Sequence, residues 1–393
     1  MIELIKFELG KIFSKKSVWI LIVVTMFSAL NGIFYDLTAI MPKEVDTVKE
    51  QRKMLASYQG QIITKEGIEN VKKESKELRK KESKELRKKE SKEELTGMEY
   101  LKANVIPFDY ILNIDPTYLI DNDVYNVYDM KKEMNKLEKE GNTDTFEYKN
   151  IKYIHDLASK KEDARFYFKP AWHSIISFDS TAIFLSTLVA LGVATIFSND
   201  YQSNSASIVL SSKNGKNKLV KAKVISALIF STTIFSFTNF LYLIYGIADS
   251  FKGWNLPLNF LANYENTPLN VSLTEFYIIG FVIGLIGIIL FTLLTILISL
   301  FIKNNMMATL ITLGIYYVPN FIADFMPTKM LYKIFKELNI SKLMEVEFMF
   351  KHTNTYNIFG NPVLYSNLLI TIALISIPIV LYMAVHFGKR QTI

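Results

Sequence analysis

Residues 276–302 read FYIIGFVIGLIGIILFTLLTILISLFI, an unbroken stretch with no charged side chain. At about 1.5 Å of rise per residue, such a run crosses the roughly 30 Å hydrocarbon core of a bilayer as one helix. Working outward, apolar runs of comparable length occur at 178–197, 219–247, 306–325 and 363–387, and one more at 18–40. Half of all residues are hydrophobic while 21% are charged, so the two kinds are segregated along the chain. Membrane spans joined by polar segments have that signature. The reading predicts an all-α polytopic membrane protein with six transmembrane helices.

Before the first span, residues 1–17 contain IELIKFELGKIF at 2–13, which puts Ile2, Ile5, Leu9 and Ile12 on one helical face and Glu3, Lys6 and Lys11 elsewhere. An amphipathic helix lying in the membrane interface is expected there. Lys15 and Lys16 followed by an apolar run resemble a signal peptide, but no A-x-A-like site follows and an amphipathic segment precedes. A retained span is therefore expected, with Trp19 at the membrane edge.

Charge sets the orientation. One side of the predicted topology carries twelve basic residues, in the N-terminal segment, the loop 198–218, the flanking Lys221, Lys223 and Lys303, and the tail Lys389 and Arg390. Against them stand Glu3, Glu8 and Asp200. The positive-inside rule makes that side cytoplasmic, with both termini on it. The formal charge of +7 is thereby absorbed as a topology signal, and a nucleic-acid partner loses its main support.

Residues 41–175, between the first two spans, form an expected extracytoplasmic domain, mainly helical (α or α+β). It contains an eight-residue repeat, KKESKELR at 72–79 and 80–87 and KKESKEEL at 88–95. Eight residues advance a helix by about 80° beyond two turns, so Leu78 and Leu86 do not form one seam. Glu77 with Lys81 and Glu85 with Lys89 stand in the favourable i, i+4 order, which suits a solvated charged helix. Residues 104–128 read as packed loops or short extended pieces, and 129–168 as helix with a break at Gly141–Thr145. A further external segment is expected at 327–362.

Chemistry-bearing motifs are absent. The chain has no cysteine, and His155, His173, His352 and His386 are scattered, so no metal site is expected. Gly215-Lys216 lacks both the first glycine and the hydroxyl residue of a P-loop, whose places Leu210 and Asn217 take. The spans carry only mild polarity: Thr25, Ser28 and Asn31 in the first, and Thr232, Ser236 and Asn239 in the third, which read as interhelical packing or as cavity lining. Gly280, Gly284 and Gly287 share one face of the fourth span, where small residues permit close packing.

The loop after the second span is the most informative polar segment: FSNDYQSNSASIVLSSKNGKNKLVKAK, residues 197–223. A carboxylate just outside the span is followed by a small pair, an apolar pair, a basic Gly-containing turn and a lysine opening the next span. This order resembles the ABC-2 class of ABC transporter permeases. Asp200 matches the acidic position, Asn204 and Ser205 a Gly-Thr-like pair, Val209 and Leu210 the apolar pair, 211–216 the turn, and Lys223 the lysine. Asp stands for the commoner Glu, Asn-Ser for Gly-Thr, and the turn lacks proline. The amphipathic N-terminus, six spans and external segment between spans 5 and 6 extend the resemblance over nearly the whole chain.

The resemblance implies a permease subunit of a bacterial plasma membrane, an exporter by expectation. Its loop 198–218 would couple to a separate ATP-binding subunit, and it would pair with a second permease chain. No cofactor is then expected on this chain, since ATP and Mg belong to the partner. Two other classes share the architecture. One is a receptor or immunity protein whose ectodomain binds an extracellular peptide, disfavoured by the lack of a cytoplasmic signalling domain. The other is a membrane-embedded enzyme, disfavoured by the lack of a buried nucleophile or carboxylate pair.

Overall fold

The computed structural model describes residues 1–27, 127–160, 172, 175–204, 215–248, 253–261, 264, 267–351 and 353–391, with isolated positions 57, 60, 61, 70, 73 and 77. Helix α1 (Ile2–Phe13) leads into α2 (Lys16–Phe27). Helices α3 (Val127–Lys139) and α4 (Phe146–Ala158) follow, then α5 (Asp179–Val193), α6 (Ser198–Gln202) and α7 (Val220–Ala248). Next come α8 (Leu273–Phe301), α9 (Asn305–Ala323), α10 (Lys329–Lys336), and the one-turn helices α11 (Ser341–Met344) and α12 (Val346–Phe350). A hairpin of β1 (Thr355–Ile358) and β2 (Asn361–Leu364) precedes the final helix α13 (Tyr365–Lys389).

Among the described residues, five stretches are long and apolar enough to cross a membrane: Thr181–Gln202, Asn217–Ile244, Leu273–Phe301, Asn305–Ala323 and Tyr365–Lys389. The chain is a multi-pass all-α membrane protein. Helix α2 begins the expected first span, whose remainder at 28–40 lies outside the described residues, as does most of 41–126, including all of the repeat except Lys73 and Glu77.

Helix α8 is the axis of the bundle, which accounts for its being the most hydrophobic span. It packs on α5, α7, α9, α11 and α13, burying Ile283, Ile288, Phe291, Leu293 and Ile296. Its start is set by a capping box in which the Ser272 and Glu275 side chains each bond the other residue's backbone, satisfying two helix-end N–H groups. Outward faces stay apolar, as at Phe237 and Phe240 of α7 and Ile375 and Ile379 of α13, as a lipid solvent requires.

The three glycines of α8 face three different neighbours. A Cβ at Gly280 would strike the Phe178 ring, one at Gly284 would lie 2.6 Å from the Phe235 ring, and one at Gly287 would lie 2.8 Å from Leu343 Cβ and 2.9 Å from its backbone carbon. Only Gly287 admits a backbone, that of α11. The other two admit aromatic rings.

Both termini lie at one end of the bundle. The Gln391 side chain donates to Leu300 O at 3.2 Å, and Ser226 Oγ donates to Ile5 O at 3.1 Å. Away from that end, α11 and α12 are almost wholly buried against α8, with Leu343 of α11 reaching Gly287 midway along it. The hairpin turns through Phe359 and Gly360, both with positive φ, as a two-residue loop between right-twisted strands requires. Its Thr355 hydroxyl donates to Asn150 Oδ1 of α4 at 2.6 Å, which joins the helical pair α3–α4 to the bundle. That pair is separated by a turn at 140–145 containing Gly141 at φ +74.

Candidate functional site

At the terminal end the chain assembles a closed network of charges from three helices. Lys223, at the start of α7, is 2% exposed, and its Nζ lies 2.9 Å from Glu8 Oε2 of α1 and 3.1 Å from Asp200 Oδ2 of α6. The same ammonium donates to Ile196 O at 2.6 Å and lies 5.4 Å from the centre of the Phe197 ring. Lys11 completes the set, 2.9 Å from Glu8 Oε1 and 3.8 Å from Asp200 Oδ1. Glu8 is fully buried and Asp200 nearly so. Two carboxylates and two ammonium groups therefore balance in a site where an unpaired charge would be very unfavourable.

The amphipathic reading of α1 needs one correction. Its packed face carries Ile12 and Glu8, flanked by the half-buried Ile5 and Leu9, whereas Ile2 is 70% exposed. A carboxylate thus sits at the centre of the inward face, because Lys223 waits beneath it.

Span 2 does not run on as one helix. Helix α5 ends at Val193, the chain turns over 194–197, and α6 resumes at Ser198. Lys15, in the link between α1 and α2, stabilises that break: its Nζ donates to Leu191 O at 3.3 Å, Gly192 O at 2.7 Å and the Thr195 hydroxyl. A lysine at a helix C-terminus satisfies free carbonyls and complements the dipole. Burial, and then the positive charge of Lys223, lower the Lys15 pKa to about 8. Gly192 lets the three helices close here, since a Cβ would lie 2.7 Å from the Phe230 ring of α7 and 3.4 Å from Ile12 of α1.

Helix α6 is also stitched to the α8–α9 turn. The Phe197 and Ser198 amides both donate to Ser299 Oγ, at 2.9 and 3.3 Å, and Ser198 Oγ donates to Asn305 Oδ1 at 2.7 Å. Asn305 in turn donates through Nδ2 to Asn199 Oδ1 at 3.1 Å and through its backbone amide to Gln202 Oε1 at 3.3 Å. Asn204 ends α6 with φ +56, a left-handed conformation that asparagine tolerates better than most residues. Glycine, which the resemblance places there, adopts it freely. The chain returns through a π-helical turn, Gly215–Leu219, directly into α7.

Asp200 and Lys223, singled out in sequence, are thus brought into contact and face inward. Ser205, Val209 and Leu210 lie outside the described residues, as do Ser28 and Asn31. Of the polar span residues, Thr25 Oγ1 donates to Leu21 O at 2.7 Å, Thr232 Oγ1 to Leu228 O at 2.7 Å and Asn239 Nδ2 to Phe235 O at 2.9 Å. Each of these three bonds closes on its own helix, and Ser236 is half-buried. They do not converge on a polar chamber among the described residues. Glu8, Lys11, Lys15, Ser299 and Asn305 were missed. A carboxylate on the inward arc of an amphipathic helix was the legible signal for Glu8; Ser299 and Asn305 had none.

The fold and site are those of a multi-pass helical membrane protein whose second span breaks into a short docked helix. The chain belongs to the ABC-2 transporter family: a family model described as ABC-2 family transporter protein matches residues 2–391. Comparison with curated proteins and with solved structures returned no match. The chain is accordingly an ABC transporter permease, the transmembrane component of a system whose members work with an ATP-binding subunit.

Proposed function

We propose that this permease is the membrane subunit of an exporter driven by a separate ATPase subunit that docks on loop 198–218. The terminal face is then cytoplasmic, in a bacterial plasma membrane, and residues 41–175 face outward. ATP and Mg2+ would bind the partner, and a second permease chain would complete the transport unit. The observation that carries this reading is the ion network Glu8–Lys223–Asp200. It ties together the helices on either side of the loop, α6, which ends near Asn204, and α7, which is entered through the π-helical turn.

Such a base makes the loop a lever. Force on 205–214 enters α6 and α7 together, because Asp200 and Lys223 are paired, and reaches α1 through Glu8. It reaches α8 and α9 through Ser299 and Asn305. Asp200, Asn204 and Lys223 are then positioning residues, and Ser205, Val209 and Leu210 are the proposed contacts with the ATPase.

The test replaces 205–214 by a Gly-Ser linker in the full chain and measures co-purification of the ATPase subunit and cargo-stimulated ATP hydrolysis. Both are expected to fall to background while membrane insertion persists. Unchanged co-purification and coupling would refute the assignment. Vesicles of defined orientation, scored for ATP-dependent movement of cargo outward, test the direction.

A further inference from the structure

We propose that α10 is a second interfacial anchor, lying in the headgroup layer of the distal leaflet with Met330, Leu331 and Ile334 in the acyl boundary. Around this helix, Lys333 and Lys336 share one arc and Met330, Leu331 and Ile334 the opposite one. The protein ties the first arc through two contacts: the half-buried Lys336 has its Nζ 3.1 Å from Asp324 Oδ1, and the exposed Lys333 has its Nζ 5.3 Å above the Tyr356 ring. The apolar arc is turned away, with Met330 73% exposed and Ile334 42%.

Three observations identify the occupant as lipid. Helix α10 begins only a short turn beyond the end of α9, so it sits at the level where a span leaves the hydrocarbon. Its apolar arc continues the bare surface of that span's end, where Phe321 and Phe325 are 71% and 72% exposed. A cationic arc opposite an apolar one on a short helix is the pattern of interfacial insertion. An eight-residue helix does not persist alone, so its tertiary ties to Asp324 and Tyr356 orient this face. The inference rests on the membrane fold and is independent of any ATPase partner.

The chain has no cysteine, so single cysteines at Met330 and Ile334 can carry an environment-sensitive fluorophore without background. The full chain is placed in vesicles of phosphatidylcholine and phosphatidylglycerol, with a probe at the exposed Glu140 as reference. The expected result is blue-shifted emission at 330 and 334 relative to 140, quenched by lipids bearing a headgroup-level nitroxide and resistant to aqueous iodide. Iodide quenching at both positions overturns the proposal. So does crosslinking of Ile334→Cys to itself between chains, which would make a second copy the occupant. Photolabelling of the unaltered chain by a lipid with a headgroup-level diazirine, expected at 330–335, reads the same contact without substitution.

Discussion

Replacing Lys223 by methionine keeps the length and most of the packing of the side chain and removes its charge. The ammonium bonds Glu8 at 2.9 Å, Asp200 at 3.1 Å and Ile196 O at 2.6 Å, so the substitution removes the buried cation that two carboxylates and a carbonyl share. Lys11 still bonds Glu8 at 2.9 Å, but it is 37% exposed and 3.8 Å from Asp200, so it offsets only part of the loss. Removing one partner of a buried pair costs about 3–5 kcal/mol, and the orphaned carbonyl adds about 1–3 kcal/mol. Much of that total is the penalty of unpaired charge, so removing Glu8 as well must return part of it. A double-mutant cycle of Glu8→Met and Lys223→Met, followed by denaturant unfolding of the chain in bicelles, is expected to show a coupling of about 2–4 kcal/mol. The exchange Glu8→Lys with Lys223→Glu should recover more than either single change. Additive effects would refute the closed network and with it the linkage between α1 and α7.

Lys15 predicts a pH dependence. Its folded pKa of about 8 lies below the ordinary 10.5, so between these values the unfolded chain binds more protons than the folded one. Stability must then rise with pH across that window, at most by about 1.4 kcal/mol per unit. Lys15→Met should flatten the slope in unfolding measured against pH; an unchanged slope would assign it to other groups. Asn204→Gly should be neutral, whereas Asn204→Val should lose about 1–2 kcal/mol through its φ of +56, both read as shifts in thermal unfolding. Gly287→Ala meets the backbone of Leu343, which cannot swing aside, and should cost about 1–3 kcal/mol. Gly284→Ala meets the edge of a ring and should cost less, and the reverse order in the same assay would be a refutation.

Much of the architecture was legible because a bilayer forces it. Only helices with apolar exteriors satisfy their backbone in lipid, so runs such as 276–302 declare themselves by length and composition. The observed α8, α9 and α13 depart from the sequence reading by no more than a few residues at either end. The order of residue types from Asp200 to Lys223 was readable too, and so was the family. What composition could not convey was the break in span 2, since the residues at 194–197 are as apolar as a helix interior. Lys15, more than 170 residues distant in sequence, holds that break.

Sequence by itself determined which segments enter the membrane and which loop interrupts them, because hydropathy and charge are local properties. Tertiary structure alone decided that Asp200 and Lys223 point at each other and at Glu8, and that the glycines of α8 receive two rings and a turn of α11. An ion pair depends on distance in space, and no local periodicity encodes which buried carboxylate a lysine at the head of another helix will meet.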